Sequence, residues 1–138
     1  MEKTLHEYFL PEYQFYLDDI SYHRLGDNIS SQQLSLSCSD NISVTLTTEN
    51  KATVLLTREV KFDPAGIFTL SIRFGADLTM NEEVSKGIDW GTINLAEEFR
   101  KQGGFVINNL MSRASLLTSE ITASFGQQPL VLPGALIE

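Results

Sequence analysis

The sequence predicts an α+β fold, in which a four-stranded antiparallel sheet is covered on one face by a short and a long C-terminal helix. Two observations lead to this prediction. Between residues 13 and 76, apolar and polar side chains alternate with a period of two, which is typical of half-buried strands. From Asn94 onward, apolar residues recur every three or four positions, as they do along the buried side of a helix. Strands that come first and helices that come last favour an α+β domain over alternating β and α units.

The clearest part of the predicted sheet is a hairpin of residues 54–62 and 67–76 around Asp63-Pro64-Ala65-Gly66. Proline presets φ and glycine tolerates positive φ, so these four residues favour a turn. We expect one row of side chains to face the core and the opposite, mostly polar row to face water. The expected core row is Val54, Leu56, Val60, Phe62, Phe68, Leu70, Ile72, Phe74 and Ala76.

Two further strands are predicted before the hairpin. The first covers residues 13–22, and its apolar positions change parity at Asp18-Asp19, which indicates a bulge or bend. Residues 23–33 are rich in Gly, Asp, Asn and Ser and predict a crossover loop. The apolar residues that follow are all even-numbered, which indicates one long strand or two short ones with the same buried face: Leu34, Leu36, Cys38, Ile42, Val44 and Leu46.

The second half of the chain predicts a polar loop and two helices. Residues 77–91 are polar around Trp90, which is either a lid over the core or a contact for a partner. Asn94 begins a capping-box pattern, so we expect a short helix that ends at Gly103-Gly104. A long helix is expected from Phe105 to about Phe125, with these residues on its buried side: Ile107, Leu110, Met111, Ala114, Leu117 and Ile121.

The length of 138 residues fits a single domain, residues 1–138, with one core. We expect residues 1–12 to be a loosely held leader and residues 127–138 to be an extended tail. The net charge of -8 argues against a nucleic-acid partner. The sequence contains neither a secretory signal pattern nor an apolar run long enough to span a membrane, so we expect a cytoplasmic protein without membrane insertion.

Residues with catalytic potential are few. His6 and His23 have no cysteine or carboxylate at metal-ligand spacing. Cys38 lies on an apolar row, where a buried thiol is expected. Neighbouring carboxylates such as Asp18 and Asp19 point to opposite faces of an extended chain and do not share a proton. We therefore expect a protein that is not an enzyme and needs no cofactor.

Several short motifs resemble those of the SecB-type export chaperones and their SecB-like relatives. Asp19-Ile20-Ser21-Tyr22 is similar to the family's Asp-Ile-Ser-Phe motif at the end of its first strand. Glu59-Val60 followed by Gly66-Ile67-Phe68 resembles the family's second hairpin, and Leu130-Val131-Leu132-Pro133 resembles its Leu-Pro ending. The order of four strands, short helix and long helix is also similar.

The resemblance implies a molecular holdase, which binds unfolded polypeptides in long apolar grooves between the helix, the sheet and the crossover loop. It also implies a homo-oligomer, either a dimer or a tetramer. The groove candidates in this sequence are Tyr22, Leu25, Ile29, Leu110 and Leu117. For the two helix leucines, a place in the ordinary core is an equally good interpretation.

The family also passes its clients to the translocase motor SecA through acidic residues on the outer face of the sheet. Asp19 and Glu59 match such positions, and the resemblance therefore implies a partner-binding role for them. His23 stands where the family's motif carries a second acid.

Two other functions are compatible with the sequence. The first is an adaptor on the same scaffold that binds one dedicated partner, such as an antitoxin. The second is a small enzyme with a helix-wrapped sheet, such as a hot-dog thioesterase. The late position of the long helix argues against this enzyme, because that fold places its long helix early in the chain.

Overall fold

The computed structural model describes residues 3–26, 35–48, 50–63 and 66–124. One antiparallel sheet has the strand order β1-β4-β3-β2, and its helix-facing side carries the core. The predicted α+β class is confirmed. The elements are β1 (Phe9–Gly26), β2 (Ser35–Thr48), β3 (Lys51–Asp63), β4 (Ile67–Met80), α1 (Glu82–Ser85), α2 (Leu95–Gln102) and α3 (Gly104–Ala123).

The predicted hairpin is formed by β3 and β4, and its predicted apolar row lies in the core. Leu56 pairs with Phe74 across the two strands. Leu56 and Ile72 have no exposed surface. Phe62, near the end of β3, is only partly buried. The polar row lies on the opposite face of the sheet, as expected from the period of two. We call this the outer face.

The predicted bulge in the first strand is confirmed. Leu17 pairs with Phe74, and the next paired residue of β1 is Asp19, opposite Arg73. Asp18 is the extra residue, so Leu17 and Ile20 both lie on the helix-facing side although their numbers differ in parity.

The first strand is longer than predicted at its C-terminal end. The sequence predicted a crossover loop from His23, but His23 and Arg24 continue β1 and pair with Thr69 and Phe68. The long partner strand β4 provides backbone hydrogen-bonding groups for these residues, and this pairing outweighs their weak strand preference. Ile29 and the rest of the predicted loop, residues 27–34, lie outside the described residues.

Residues 3–12 are not the loose leader that was predicted for residues 1–12, and residues 1 and 2 lie outside the described part of the chain. Leu5–Tyr8 forms a 3-10 helix, and β1 begins at Phe9. Leu5 and Tyr8 are buried, and the Leu5 amide donates to Gln102 Oε1 over 3.1 Å. The Tyr8 ring meets the Trp90 ring edge-on at 5.5 Å. Trp90 therefore packs on the core, which confirms its interpretation as a lid.

Strand β4 also runs beyond its predicted end at Ala76. Leu78 and Met80 are buried, which explains why the chain stays in the sheet. Asp77 lies on the outer face, where its Oδ1 accepts hydrogen bonds from the hydroxyls of Tyr16 (3.1 Å) and Thr53 (2.9 Å). These two hydrogen bonds satisfy the Asp77 carboxylate, so this residue stays in the strand although the sequence predicted that a polar loop begins there.

The two predicted helices are confirmed within the described residues. Asn94 Oδ1 accepts from the Glu97 amide over 3.2 Å and caps α2. A Cβ atom at Gly103 would lie 2.3 Å from the carbonyl oxygen of Phe99, so glycine lets α3 follow α2 directly. The predicted stop at Gly126 and the predicted tail, residues 127–138, lie outside the described part of the chain.

Helix α3 buries two threonines that its apolar pattern did not predict. Thr118 is fully buried and Thr122 nearly so. Their hydroxyls donate to the carbonyl oxygens four residues earlier, at Ala114 (2.7 Å) and Thr118 (2.8 Å). Because each hydroxyl is satisfied within the helix, it needs no partner from the sheet.

A buried ion pair crosses the core between two strands and the long helix. Arg58 of β3 and Asp40 of β2 are both fully buried. Arg58 Nε and Nη2 donate to the two Asp40 oxygens over 2.8 and 2.9 Å, and Nη1 donates to Ser115 Oγ of α3 over 2.8 Å. Burial alone lowers the pKa of Arg58, but the hydrogen bonds and charge of Asp40 more than offset this and the pKa is raised. The guanidinium therefore stays charged and joins three elements.

We expect Asp40→Asn to destabilise the fold strongly, because it leaves the Arg58 charge buried without a counter-charge. Loss of one partner of a buried pair typically lowers the free energy of unfolding by about 3–5 kcal/mol. Urea unfolding followed by circular dichroism measures this. The matched control is Asp40→Leu with Arg58→Met, which removes both charges and should recover most of the loss. A single variant as stable as the wild type would contradict the prediction.

Candidate functional site

Three large apolar side chains of β1 remain exposed on the helix-facing side of the sheet. Leu17 is 48% exposed, Ile20 44% and Tyr22 38%. They pair with Phe74, Ile72 and Leu70 of β4, which are all buried. We call these three residues the β1 apolar row.

The row is exposed because the long helix lies elsewhere on the sheet. Helix α3 packs over β4 and β3, whereas β1 is the edge strand beyond β4. A helix is about 10 Å wide, while four strands about 4.8 Å apart span roughly 15–19 Å. One helix therefore leaves part of the sheet uncovered.

An open groove of about 600 Å³ runs along the side of α3. Its position relative to β1 follows from two contacts: the Phe105 ring lies 5.7 Å from Tyr13, and two turns later the Arg113 guanidinium lies 4.9 Å over the ring of Phe15. These two contacts place the groove on the β1 side of α3. The groove is lined by Gly104, Phe105, Asn108, Asn109, Ser112, Arg113 and Leu116.

The groove combines apolar and polar groups that suit a polypeptide. Leu116 is 62% exposed, more than any other large apolar residue in the described part of the chain. Asn108, Asn109 and Ser112 offer amide and hydroxyl groups that match the donors and acceptors of a peptide backbone. Arg113 Nε donates to Asn109 Oδ1 over 2.5 Å, which holds the guanidinium at Phe15.

The structure separates the five predicted groove residues. Tyr22 belongs to the β1 apolar row, and its ring lies 5.7 Å from Phe68. Leu25, near the end of β1, is 48% exposed. Leu110 was wrongly placed in the groove, because α3 turns it toward the sheet and it is fully buried. Leu117 is partly buried against the core, and Ile29 lies outside the described residues.

Sequence reasoning missed Leu17, Ile20 and Leu116 as exposed apolar residues. The parity change at the bulge was a usable signal for the first two, because it showed that the apolar residues before and after Asp18 share one face. Leu116 had no such signal, since a single leucine on a helix looks the same whether it meets a sheet or water.

The two predicted partner-binding acids, Asp19 and Glu59, are exposed on the outer face. Arg73 Nε donates to Asp18 Oδ2 over 2.6 Å, and this hydrogen bond is the main cause of the raised pKa of Arg73. Within the described residues, neither Asp19 nor Glu59 makes an ion pair. Both carboxylates therefore face solvent, and their role stays a prediction.

Other kinds of site find little support in the described residues. They contain no group of three or more His, Cys, Asp or Glu side chains placed to hold a metal ion. Burial raises the pKa of the Cys38 thiol, so its reactive thiolate form is disfavoured. No helix in the described part of the chain is long and apolar enough to cross a membrane.

Comparisons with known proteins identify the fold. No protein-family model matches the chain, and no curated protein matches it significantly. Among solved structures, it is similar to a SecB-like chaperone of Mycobacterium tuberculosis in complex with a ChAD peptide from the HigA1 antitoxin. The TM-score is 0.63 at 14% identity, and the match covers 86% of this chain and 85% of that one. The chain therefore has a SecB-like fold.

Proposed function

We propose that this protein is a molecular chaperone that holds unfolded or non-native polypeptides without chemical reaction. The observation that carries the proposal is the β1 apolar row beside the α3 groove, on a SecB-like fold. An apolar surface left exposed on a folded chain is unfavourable in water unless something covers it. A non-native polypeptide offers the apolar side chains that do so.

The shape of the surface favours extended segments over a small molecule. The row and the groove follow β1 and α3, so the apolar side chains are spread along a line and do not enclose a deep pocket. Contacts of this kind are individually weak, and several engaged at once along a client raise its affinity. No sequence motif in the client is required, and no cofactor takes part.

We also propose that the chain self-associates, as a dimer or a tetramer. The exposed apolar residues support this, because a second copy would cover part of the uncovered sheet. Oligomers of this kind would also place several client surfaces on one particle. In this proposal the chaperone acts in the cytoplasm and delivers clients to SecA.

A second candidate function is a dedicated adaptor that binds one partner, such as an antitoxin. The supporting observation is that the similar SecB-like chaperone of M. tuberculosis is in complex with a peptide from an antitoxin. The same groove would serve both functions. They differ in whether many unrelated polypeptides bind or only one.

The holdase function is tested by light scattering of a reduced, denatured model protein diluted with and without this one. We expect the wild-type protein to suppress aggregation, and Leu17→Asp with Ile20→Asp to weaken client binding by about tenfold, because the apolar contacts are replaced by carboxylates that lose water on binding. Column chromatography with mass detection gives the size of the complex. The control is Leu10→Asp, a residue of β1 outside the row that is 39% exposed.

The possible outcomes separate the two functions. Suppressed aggregation that is lost only in the row variant supports the holdase. A client that precipitates unchanged with the wild-type protein rejects the holdase, and tight capture of one natural partner then supports the adaptor. Equal protection by the row variant and the wild type would show that the row is not the client site.

The outer-face acids give a separate prediction. Asp19→Lys with Glu59→Lys should weaken binding to SecA, and the difference from the wild type should shrink as salt is added, because exposed charges mainly steer association and are screened. Binding is measured by surface plasmon resonance at low and high salt. Glu12→Lys with Glu83→Lys has the same change in charge at other exposed positions and serves as the control. Unchanged binding at low salt would refute the role.

A further inference from the structure

The groove beside α3 holds one charged side chain among the described residues that line it, that of Arg113. The other lining residues are neutral. The chain as a whole is acidic, with 18 acidic and 10 basic residues. A groove that presents a cation and no carboxylate therefore has the opposite charge to the protein as a whole.

Arg113 has no counter-charge in the described part of the chain. Arg58, in contrast, is paired with Asp40. The side-chain contacts of Arg113 are with neutral groups, namely the amide oxygen of Asn109 and the ring of Phe15. Its positive charge is therefore available to a ligand.

Two contacts fix the orientation of this guanidinium before any ligand binds. Its Nε donates to Asn109 Oδ1 over 2.5 Å, and its central carbon lies 4.9 Å from the centre of the Phe15 ring. The N–H groups on the two Nη atoms have no partner among the described residues. A side chain that is already ordered loses less conformational freedom when it binds a ligand.

The free N–H groups of Arg113 suit a carboxylate. A guanidinium and a carboxylate can form two parallel hydrogen bonds in one plane, which an ammonium group cannot reproduce. The Asn108 amide and the Ser112 hydroxyl in the same groove add further donors. Carboxylate is the anion that an unmodified polypeptide carries, on aspartate, on glutamate and at its C-terminus.

The apolar part of the groove lies about one turn further along α3. Leu116 lines the groove and is 62% exposed. Side chains three residues apart on a helix have Cβ atoms about 5–6 Å apart. In an extended polypeptide, side chains two residues apart lie on the same face at a spacing of about 7 Å. A client acid two positions from an apolar residue therefore matches Arg113 and Leu116.

We propose that the α3 groove binds a carboxylate of the client at Arg113 and an apolar side chain of the client at Leu116. The inference rests on the proposed function, since its ligand is a non-native polypeptide, and it adds a preference among clients. The preferred segments carry an acid two residues from an apolar residue. The preference is modest, because an exposed ion pair contributes little in water, and clients without an acid still bind through apolar contacts.

The test compares two short fluorescein-labelled peptides by fluorescence anisotropy. In both, leucine alternates with threonine, and one central leucine is replaced by glutamate in the first peptide and by glutamine in the second. We expect the wild-type protein to bind the glutamate peptide about fivefold more tightly at low salt, equivalent to about 1 kcal/mol. Added salt should reduce this ratio, because it screens exposed charges.

Three variants test whether Arg113 causes the preference. Arg113→Met keeps an unbranched side chain near Phe15 but removes the charge, so the two peptides should bind equally. Arg113→Lys keeps the charge without the planar guanidinium and should retain part of the preference. The matched control, Lys101→Met, removes the same charge at an exposed position of α2 and should keep the full preference. Urea unfolding shows whether the variants remain folded, and Arg113→Gln replaces the methionine variant if it does not.

The ratio of the two affinities decides the inference. Loss of the preference in Arg113→Met but not in the control supports it. Equal binding of both peptides by the wild type, no binding of either, or an unchanged ratio in Arg113→Met overturns it, since a purely structural role would affect both peptides equally. A change in oligomer mass in that variant also overturns it, because an acid of a second copy then occupies Arg113.

Light scattering of the denatured model protein tests the holdase function separately. Suppressed aggregation without a preference for the glutamate peptide rejects this inference and leaves the proposed function standing. A preference that depends on Arg113 without suppressed aggregation supports the inference while the holdase function fails.

Discussion

The buried pair of Arg58 and Asp40 is the constraint on which the rest of the structure depends. Both charges lie in the core, and Ser115 extends their contact to α3. A slip of β2 by one residue would move Asp40 to the opposite face and leave a guanidinium without its counter-charge. Since an unpaired buried charge is strongly unfavourable, the pair fixes the register of β2 on β3 and holds α3 above them.

The position of α3 determines which part of the sheet remains exposed. Because the helix is held over β3 and β4, the β1 apolar row lies beyond its reach. The bulge at Asp18 adds to this exposure, since it turns Leu17 and Ile20 to the same side of the strand. The position of α3 thus leaves exposed the apolar surface on which the proposed chaperone function rests. This function needs no catalytic group.

The two edge strands of the sheet differ in their charges and in the regularity of their pairing. Along β1, side chains are available while charges, proline and bulges interrupt the backbone edge. Along β2, the backbone edge is regular and the outer side chains are small.

The sequence by itself determined that four strands precede two helices along the chain. It also determined the hairpin and the bulge. These features follow from local periodicity, capping and turn residues. Tyr22 lies in the exposed β1 apolar row, and its role in client binding stays a prediction. Only the tertiary structure decided that Leu110 is core, that Leu5 and Tyr8 pack inside, and that Arg58 and Asp40 pair in the core. Periodicity assigns each side chain to a face. Whether another element covers that face depends on contacts between residues far apart in the chain.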